Sequence, residues 1–214
     1  ANCVSCHTAP GGPVFAGGVP FPTQFGTIYS TNITPDEATG IGSWSYEQFE
    51  AALRRGVRPN GEHLYPTFPY TSFTRISDED VRALYDYFMS LKPVHAPARA
   101  NEMRFPFGQR RLLGVWKALF FDEGRFVRDP ARSEEWNRGA YLVEALAHCG
   151  ACHSPRNLLG AEKTSAPYTG GALYEWDEER GAVRRGAPNL TSSPHGLKAW
   201  SEDDLAEYLK RGVG

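Results

Sequence analysis

Two pentapeptides constrain this chain more than any other feature. All four cysteines of the 214-residue sequence occur in two Cys-x-x-Cys pairs, and a histidine follows each pair directly, as CVSCH at 3–7 and CGACH at 149–153. This is the pattern of covalent c-type haem attachment, in which two thiols bind the two vinyl groups of one porphyrin and the adjacent imidazole binds the iron. The sequence therefore predicts two haem c groups. Their attachment residues are Cys3 and Cys6 with the proximal ligand His7, and Cys149 and Cys152 with the proximal ligand His153.

Two other uses of paired cysteines explain the pattern less well. Two Cys-x-x-Cys pairs can build a zinc site from four thiolates, or from three thiolates and an imidazole. Such a site does not require histidine at the fifth position both times. A thioredoxin-like redox pair needs a βαβ setting, which nothing in this sequence indicates. We therefore adopt covalent haem as the interpretation of both pentapeptides.

A repeat follows the two pentapeptides. The first copy reads Asn32-Ile33-Thr34, then Trp44-Ser45 and YEQFEAALRRGV, and the second reads Asn189-Leu190-Thr191, then Trp200-Ser201 and EDDLAEYLKRGV. In both copies a serine stands at the N-cap of a predicted helix, apolar residues recur at i and i+4, and a glycine stands at the expected C-cap. The repeat predicts that each haem lies in its own small, mainly helical module.

Two more helices are predicted outside the repeat. One begins at Ser77 and ends before Pro93, and the other begins at about Ser133 and continues directly into Cys149. The first module has no helix before its pentapeptide, and the second ends just after its middle helix. We expect a mainly α fold of two tandem cytochrome c-like modules, with the chain incomplete at both ends. The expected divisions are a first module over 1–92, a packed linker rich in Pro, Phe and Arg over 93–132, and a second module over 133–214.

The charge balance excludes one class of partner. Lys and Arg number 23 against 25 Asp and Glu, which gives a formal net charge of −2. No basic excess exists to neutralise a phosphate backbone, so we expect no nucleic-acid partner. The longest apolar stretch, from Leu112 to Phe121, is interrupted by Lys117 and is too short to cross a bilayer.

Longer segments connect the chain to a known family. They include CVSCHTAPGG, GTIYSTNITPD, TGIGSWSYEQFEAALRRGV, GEHLYPTFPY, SDEDVRALYDYFMSLKPV, WNRGAYLVEALAHCGACHSPRN and PNLTSS. Through them, nearly the whole chain resembles the multihaem cytochrome c subunits of membrane-bound periplasmic dehydrogenases that oxidise alcohols, gluconate, fructose and aldehydes. The resemblance implies a third haem in the full-length protein and membrane attachment through a C-terminal part that is missing here.

One departure from the family pattern bears on the partner. The alcohol-oxidising branch tends to read YPAMPY where this chain has YPTFPY at 65–70, and the methionine of that motif is the usual distal iron ligand. Phe68 cannot bind iron. The Phe form is similar to the cytochromes that accompany molybdenum hydroxylases, such as aldehyde dehydrogenases and nicotinate or isoquinoline oxidoreductases. The resemblance thus implies a partner with molybdenum and iron–sulfur centres, and the catalytic site on another chain.

The sixth iron ligand stays open among several candidates. For the first haem we favour Met89, which also occurs at the matching position of the resembled family, over His63, Met103 and an open five-coordinate iron. Histidine in place of methionine lowers the reduction potential. By comparison with the repeat, the distal ligand of the second haem lies outside this sequence. Arg156 lies three residues after His153. It either pairs with a haem propionate or is an exposed surface arginine.

These expectations combine into a function. The chain would be the non-catalytic electron-transfer subunit of an oxidoreductase complex, with no catalytic residues of its own. It would take electrons from a dehydrogenase catalytic subunit, and from an iron–sulfur subunit where one is present, and pass them to ubiquinone or a terminal oxidase. Haem c attachment implies the periplasm, at the periplasmic face of the inner membrane. The alternatives are a dihaem enzyme such as a peroxidase, and a free dihaem electron shuttle.

Denaturation followed by extraction tests the covalent attachment. We expect acidified organic solvent to leave all the red colour on the polypeptide, because thioether bonds survive conditions that release a haem held only by iron ligation. Mass spectrometry of the denatured chain should then show the mass of two haems in addition to that of the sequence. Loss of the colour to the organic phase would contradict the attachment at both pentapeptides.

Overall fold

The computed structural model of the chain describes residues 2–177 and 181–212 and contains mostly short helices. The helices are α1 Cys3–His7, α2 Tyr46–Arg55, α3 Tyr70–Phe73, α4 Asp78–Met89, α5 Leu112–Phe120, α6 Glu134–Tyr141, α7 Gly150–His153 and α8 Glu202–Arg211, and a π-helical turn over Leu142–Leu146 follows α6. The strands are β1 Pro20–Thr23, β2 Gly26–Tyr29, β3 Glu102–Met103, β4 Gly171–Asp177 and β5 Gly181–Ala187. Ala1, Val213 and Gly214, at the ends of the predicted modules, lie outside the described residues.

The four predicted helices are confirmed, and each begins directly after its serine. The prediction that the helix after Ser133 continues into Cys149 is wrong, because the π-helical turn ends at Leu146 and His148 has a positive φ of 44°. The hydroxyls of Ser45, Ser77, Ser133 and Ser201 accept a hydrogen bond from the backbone N–H of the third residue of α2, α4, α6 and α8. Gly56 and Gly212 end α2 and α8 in the left-handed conformation, at φ 59° and 72°. Glycine adopts this conformation without the steric cost that a Cβ adds.

Both copies of the sequence repeat form the same backbone turn. Asn32 Oδ1 accepts the N–H of Thr34 at 2.9 Å, and the Thr34 carbonyl accepts the N–H of Ile41 at 2.9 Å. The Ile41 carbonyl in turn accepts the N–H of Trp44 at 3.0 Å, immediately before α2. The residues Asn189, Thr191, Leu197 and Trp200 make the same bonds before α8. The asparagine side chain thus replaces a backbone acceptor in both copies, as in an Asx turn.

The chain divides into two compact units. The first comprises Ala1–His148 with Tyr174–Arg184, and the second comprises Cys149–Leu173 with Arg185–Gly214. The predicted module boundaries at residues 92 and 133 stay predictions. The helix predicted to open the second module lies in the first unit, because Tyr141 and Ala145 are buried in its core. Other members of that core are Phe49 and Leu53 of α2, Phe73 of α3, and Val81 and Phe88 of α4.

Strands that the sequence did not indicate occur alongside the helices. In the first unit β1 pairs antiparallel with β2, with Phe21 opposite Ile28, and β2 pairs antiparallel with β3, with Gly26 opposite Met103. A Cβ on Gly26 would lie 2.3 Å from the Glu102 carbonyl oxygen, so glycine permits this close pairing. These strands have two to four residues, too few for a period-two pattern to be recognised. None of the described helices has the length and hydropathy that crossing a bilayer requires.

A buried arginine joins α2 to the start of α4. Arg54 is 1% exposed, and its two Nη atoms contact Glu50 Oε1 at 2.5 Å and Asp78 Oδ1 at 2.6 Å. It also donates to the Ile76 carbonyl at 2.7 Å. Hydrogen bonds from Arg54, and then from Arg125, hold the pKa of the Asp78 carboxyl below its usual range. A buried guanidinium is tolerated only when acceptors of this kind satisfy it.

Replacement of this arginine tests the network. We expect Arg54→Met to lower the free energy of unfolding by about 3 kcal/mol, because it leaves the buried Ile76 carbonyl without its donor and leaves Glu50 and Asp78 with Arg125 alone. Urea-induced unfolding, followed by circular dichroism, measures the change. The matched control Arg211→Met removes an exposed ion pair with Glu207 on α8 and should change stability by less than about 0.5 kcal/mol. Equal effects of the two substitutions would contradict the structural role of Arg54.

The same network predicts a pH dependence. A carboxyl whose folded pKa is lowered contributes stability above its unfolded pKa, and that contribution is lost as the pH falls through the folded pKa. The difference between wild type and Arg54→Met should therefore be largest near neutral pH and shrink as acid protonates Asp78. A difference that grows on acidification would contradict the assignment of Asp78 as the partner.

Candidate haem-binding sites

In the first unit, one helical turn brings the first pentapeptide together. Residues three and four apart on a helix lie on the same face, so α1 places Cys3, Cys6 and His7 side by side. Both cysteines are free thiols and partly buried. Burial raises the pKa of the Cys3 thiol. Helix α7 presents the second pentapeptide in the other unit, where Cys149 and Cys152 are also free, and burial raises the pKa of Cys149.

A backbone carbonyl orients each histidine. The Nδ1 atom of His7 lies 2.7 Å from the carbonyl oxygen of Thr31, and that of His153 lies 2.8 Å from the carbonyl oxygen of Pro188. A carbonyl can only accept, so Nδ1 carries the proton and Nε2 is the ring atom left for a metal. Burial lowers the pKa of His7, which favours the neutral imidazole that metal binding requires.

Sequence reasoning missed Thr31 and Pro188, although a signal for them exists. Each immediately precedes the asparagine of the repeated Asn-x-Thr turn. The N–H of Thr34 donates to Asn32 Oδ1, and the N–H of Thr191 donates to Asn189 Oδ1. These bonds close turns that directly follow the accepting carbonyls. The position before a repeated turn motif therefore indicates where the histidine finds its acceptor.

The backbone carbonyl of each histidine accepts a hydrogen bond from one glycine. The N–H of Gly17 donates to the His7 carbonyl at 2.7 Å, and the N–H of Gly170 donates to the His153 carbonyl at 2.8 Å. Gly17 has φ 81°, and a Cβ there would lie 2.5 Å from the carbonyl carbon of Thr31. Only glycine fits between the backbone of His7 and the carbonyl that orients its ring.

The residues present fit haem c at both pentapeptides. Each offers two free thiols and one imidazole with a defined tautomer, which is the donor set that covalent attachment and proximal ligation need. A hydrogen bond from the second ring nitrogen of a ligating histidine is the usual outer-shell support of a metal site. Among the described residues, no group of three or more His, Cys, Asp or Glu side chains is placed to hold a metal ion, as a zinc site would need.

The three candidates for the sixth ligand lie in different surroundings. Met89, the last residue of α4, packs against the core cluster that Cys3 also contacts. Met103 belongs to β3, opposite Gly26. His63 lies under α5, with its Nδ1 atom 3.4 Å from Lys117 Nζ. Of the three, only Met89 shares the core cluster with an attachment cysteine.

The guanidinium of Arg156 contacts backbone beside the second pentapeptide. Its Nη1 atom donates to the Gly160 carbonyl at 2.7 Å, and its Nη2 atom donates to the Ala151 carbonyl at 2.7 Å. Glu162 lies 3.9 Å from the same guanidinium. Because Ala151 is one of the two residues between the cysteines of the pair, Arg156 holds the loop that follows the pentapeptide against it.

The chain is similar to known proteins over nearly its whole length. Residues 1–92 match the family model described as cytochrome c. The chain is 52% identical over 212 residues to a nicotinate dehydrogenase subunit of Pseudomonas putida, and the match covers 99% of the chain and 17% of that protein. It is 45% identical over 216 residues to the fructose dehydrogenase cytochrome subunit of Gluconobacter japonicus, where the match covers 99% of the chain and 43% of the relative.

A further relative is closer to the chain in length. The chain is 41% identical over 216 residues to a protein of Cereibacter sphaeroides named diheme cytochrome c-type, and the match covers 99% of the chain and 69% of that protein. By contrast, the chain spans less than half the length of the nicotinate and fructose dehydrogenase subunits. The shared region is therefore a part of those larger proteins.

A glycine substitution tests the support of the proximal histidine. Gly17→Ala should displace the Thr31 carbonyl, weaken its bond to His7 and make the imidazole a poorer electron donor, which raises the midpoint potential of the first haem. We expect a rise on the order of 30–60 mV, up to a tenfold change in a one-electron equilibrium. Redox titration followed in the visible spectrum measures it.

Gly11→Ala is the matched control for this substitution. Gly11 has a similar φ, 69°, but a Cβ there meets nothing within 4 Å. The control carries the same backbone strain and should leave both potentials unchanged. If Gly17→Ala and Gly11→Ala gave equal potentials, the Thr31 carbonyl would not be tuning the first haem.

Proposed function

The chain belongs to the cytochrome c family that includes the cytochrome subunits of dehydrogenases, and from this premise we propose that it transfers electrons through two covalent haems. The observation that carries the proposal is the imidazole–carbonyl hydrogen bond, which occurs at both pentapeptides. It supports a permanent iron ligand at each site. The name of the Cereibacter relative supports a count of two haems within the shared region.

The residues of the chain have distinct parts in this function. Haem c, when bound, supplies one-electron exchange between ferric and ferrous iron. Cys3, Cys6 and their counterparts would hold the porphyrin edge, and His7 and His153 would bind iron through Nε2, while Thr31 and Pro188 keep their rings oriented. No substrate has to enter either site, because outer-sphere transfer requires only that the surroundings set the potential and change little between the two oxidation states.

The partner would be a dehydrogenase catalytic subunit on another polypeptide. The names of the nicotinate and fructose relatives support a dehydrogenase. Phe68, in place of the methionine of the alcohol-oxidising branch, and the likeness to the nicotinate dehydrogenase subunit support a molybdenum hydroxylase with iron–sulfur centres. Electrons would continue to ubiquinone or a terminal oxidase at the periplasmic face of the inner membrane, with a third haem and a membrane attachment supplied by the longer protein.

Met89 is the proposed sixth ligand of the first haem. The support for Met89 is that it and Cys3 pack against the same core cluster. Phe68 packs there too, but its side chain has no atom that can bind iron. A thioether at the sixth position gives a potential higher than a second imidazole would. It would also close the iron to exogenous ligands, which suits an electron carrier, whereas a peroxidase needs an open position.

Carbon monoxide binding distinguishes an electron carrier from a dihaem enzyme. The first haem of the reduced protein should not bind carbon monoxide, because four porphyrin nitrogens, His7 and Met89 would occupy all six positions of its iron. Met89→Leu should open one of the two haems to carbon monoxide and lower its potential by at least about 100 mV, a small part of the ~0.8 V that axial ligands span. The isosteric control Met103→Leu should change neither property.

Two results would overturn this proposal. Carbon monoxide binding to the wild-type protein, together with turnover of hydrogen peroxide, would identify a dihaem enzyme. Carbon monoxide binding by Met103→Leu in place of Met89→Leu would assign the sixth ligand to β3. Absorption spectra and stopped-flow kinetics distinguish these outcomes in one preparation.

A further inference from the structure

The loop that follows each pentapeptide differs in length and in charge between the two units. In both units this loop connects the histidine to the glycine whose N–H binds the histidine carbonyl. In the first unit it comprises residues 8–16, and none of them is charged. In the second unit it comprises residues 154–169, and its charged members are Arg156, Glu162 and Lys163. The haem of the second unit would therefore have charged neighbours in a loop that supplies none to the first.

Backbone pairing folds the longer loop back on itself and fixes the position of Glu162. The N–H of Lys163 donates to the Pro155 carbonyl at 2.8 Å, and Arg156 and Glu162 form an antiparallel bridge. Ala161, on the other side of Glu162, is 3% exposed. The backbone on both sides of Glu162 is therefore held by pairing or by burial.

The carboxyl of Glu162 lies against the pentapeptide. A Cβ on Gly150 would lie 3.1 Å from Glu162 Oε2, 3.3 Å from Ser154 Oγ and 3.4 Å from Tyr168 Cε1. Gly150 directly follows Cys149, to which the porphyrin would be attached. The absence of a side chain at Gly150 thus leaves room for a carboxyl group beside a haem-attachment residue.

The charge of this carboxyl is only partly compensated. Arg156 Nη2 lies 3.9 Å from Glu162 Oε1, but the guanidinium already donates to the Gly160 and Ala151 carbonyls. Among the residues that the structure describes, none donates a hydrogen bond to the Glu162 carboxyl. Its side chain is 30% exposed. Burial raises the pKa of Glu162, and the opposing effect of Arg156 does not cancel this rise.

We propose that the Glu162 carboxyl binds a proton when the second haem is reduced and releases it when that haem is oxidised. Ferric haem carries one more positive charge than ferrous haem and therefore favours the ionised carboxylate more strongly. Each one-electron reduction, by the dehydrogenase partner or by a redox mediator, would be accompanied by uptake of up to one proton from solvent. Oxidation would pass the electron to the acceptor and return the proton to solvent.

The proposed role of Glu162 deepens the electron-transfer function and rests on it, because it requires a haem at the second pentapeptide. It couples proton binding to electron transfer at the second haem only. The loop over 8–16 offers no carboxyl group to the first haem. The first haem therefore serves as an internal reference in the same molecule.

Redox titration of the haem-loaded protein at several pH values tests the inference. Between about pH 4 and about pH 9, the potential of the second haem should fall across a window above the ordinary range of a glutamate carboxyl. We expect the proton affinity of Glu162 to differ about tenfold between the two oxidation states, which gives a total fall of ~59 mV for a one-electron couple. Glu162→Gln should remove this fall and keep that haem at the higher potential that wild type reaches in acid. The potential of the other haem should not change.

Glu207→Gln is the matched control within the same unit. Glu207 also pairs with an arginine, Arg211, at 3.1 Å, and the substitution removes the same charge. Its side chain is 49% exposed, and α8 contains no haem-attachment residue. The control should keep the wild-type pH dependence of both potentials, including any part that the haem propionates contribute. The difference between the two variants therefore reports on Glu162.

Infrared difference spectroscopy detects the proton itself. Inside the pH window, the reduced-minus-oxidised spectrum of wild type should contain the carbonyl stretch of a newly protonated carboxyl group. This band should be missing from Glu162→Gln and present in Glu207→Gln. The other titratable side chains near the carboxyl are Tyr168 and the exposed Lys163, and neither of them gives such a band. The Cys149 sulfur does not titrate once it forms a thioether.

Two results would overturn the role of Glu162 and leave the electron-transfer function standing. One is the same pH dependence of both potentials in wild type and in Glu162→Gln. The other is an infrared carboxyl band that Glu162→Gln leaves unchanged. Absence of a covalently bound haem at the second pentapeptide, seen in the visible spectrum and in the mass of the chain, would overturn both proposals.

Discussion

The hydrogen bond from a histidine ring to a backbone carbonyl is the constraint on which both candidate sites depend. It fixes the tautomer of His7 and of His153, and so decides which nitrogen is free for iron. A backbone acceptor is harder to lose by substitution than a side chain, because every residue except the chain terminus supplies the same carbonyl. Only the path of the backbone can move it. The fold around each pentapeptide therefore acts to hold one oxygen atom in place.

Several weaker features of the sequence serve that one position. The asparagine turn that follows Thr31 and the one that follows Pro188 stabilise the backbone just beyond the carbonyl. Gly17 approaches Thr31 so closely that no Cβ fits between them. The amides of Gly17 and Gly170 bind the histidine carbonyls. Each of these bonds contributes modestly to stability, but together they leave the imidazole little freedom to rotate.

The sequence predicted those parts of the fold that local side chains determine. Serine N-caps predicted four helices, and glycine C-caps predicted where two of them end. Capping can be recognised in the sequence because it depends on residues a few positions apart. Paired cysteines and a histidine indicated the candidate haem donors for the same reason. Thr31 and Pro188 were missed because a carbonyl acceptor carries no residue identity, and β1 to β3 were missed because two to four residues show no period. The longer strands β4 and β5, of seven residues each, were missed as well. The packing of α6 on the first unit is set by long-range contacts that no local pattern encodes.

Nuclear magnetic resonance of the reduced haem protein, with nitrogen-15 in its histidines, tests the central claim most directly. The account predicts two slowly exchanging ring protons, one on Nδ1 of His7 and one on Nδ1 of His153, each protected from solvent by its carbonyl acceptor. The Nε2 atoms of both rings should carry no proton, because iron would occupy that position in the proposed sites. A proton on Nε2 of either histidine, or rapid exchange of both Nδ1 protons with water, would contradict the account.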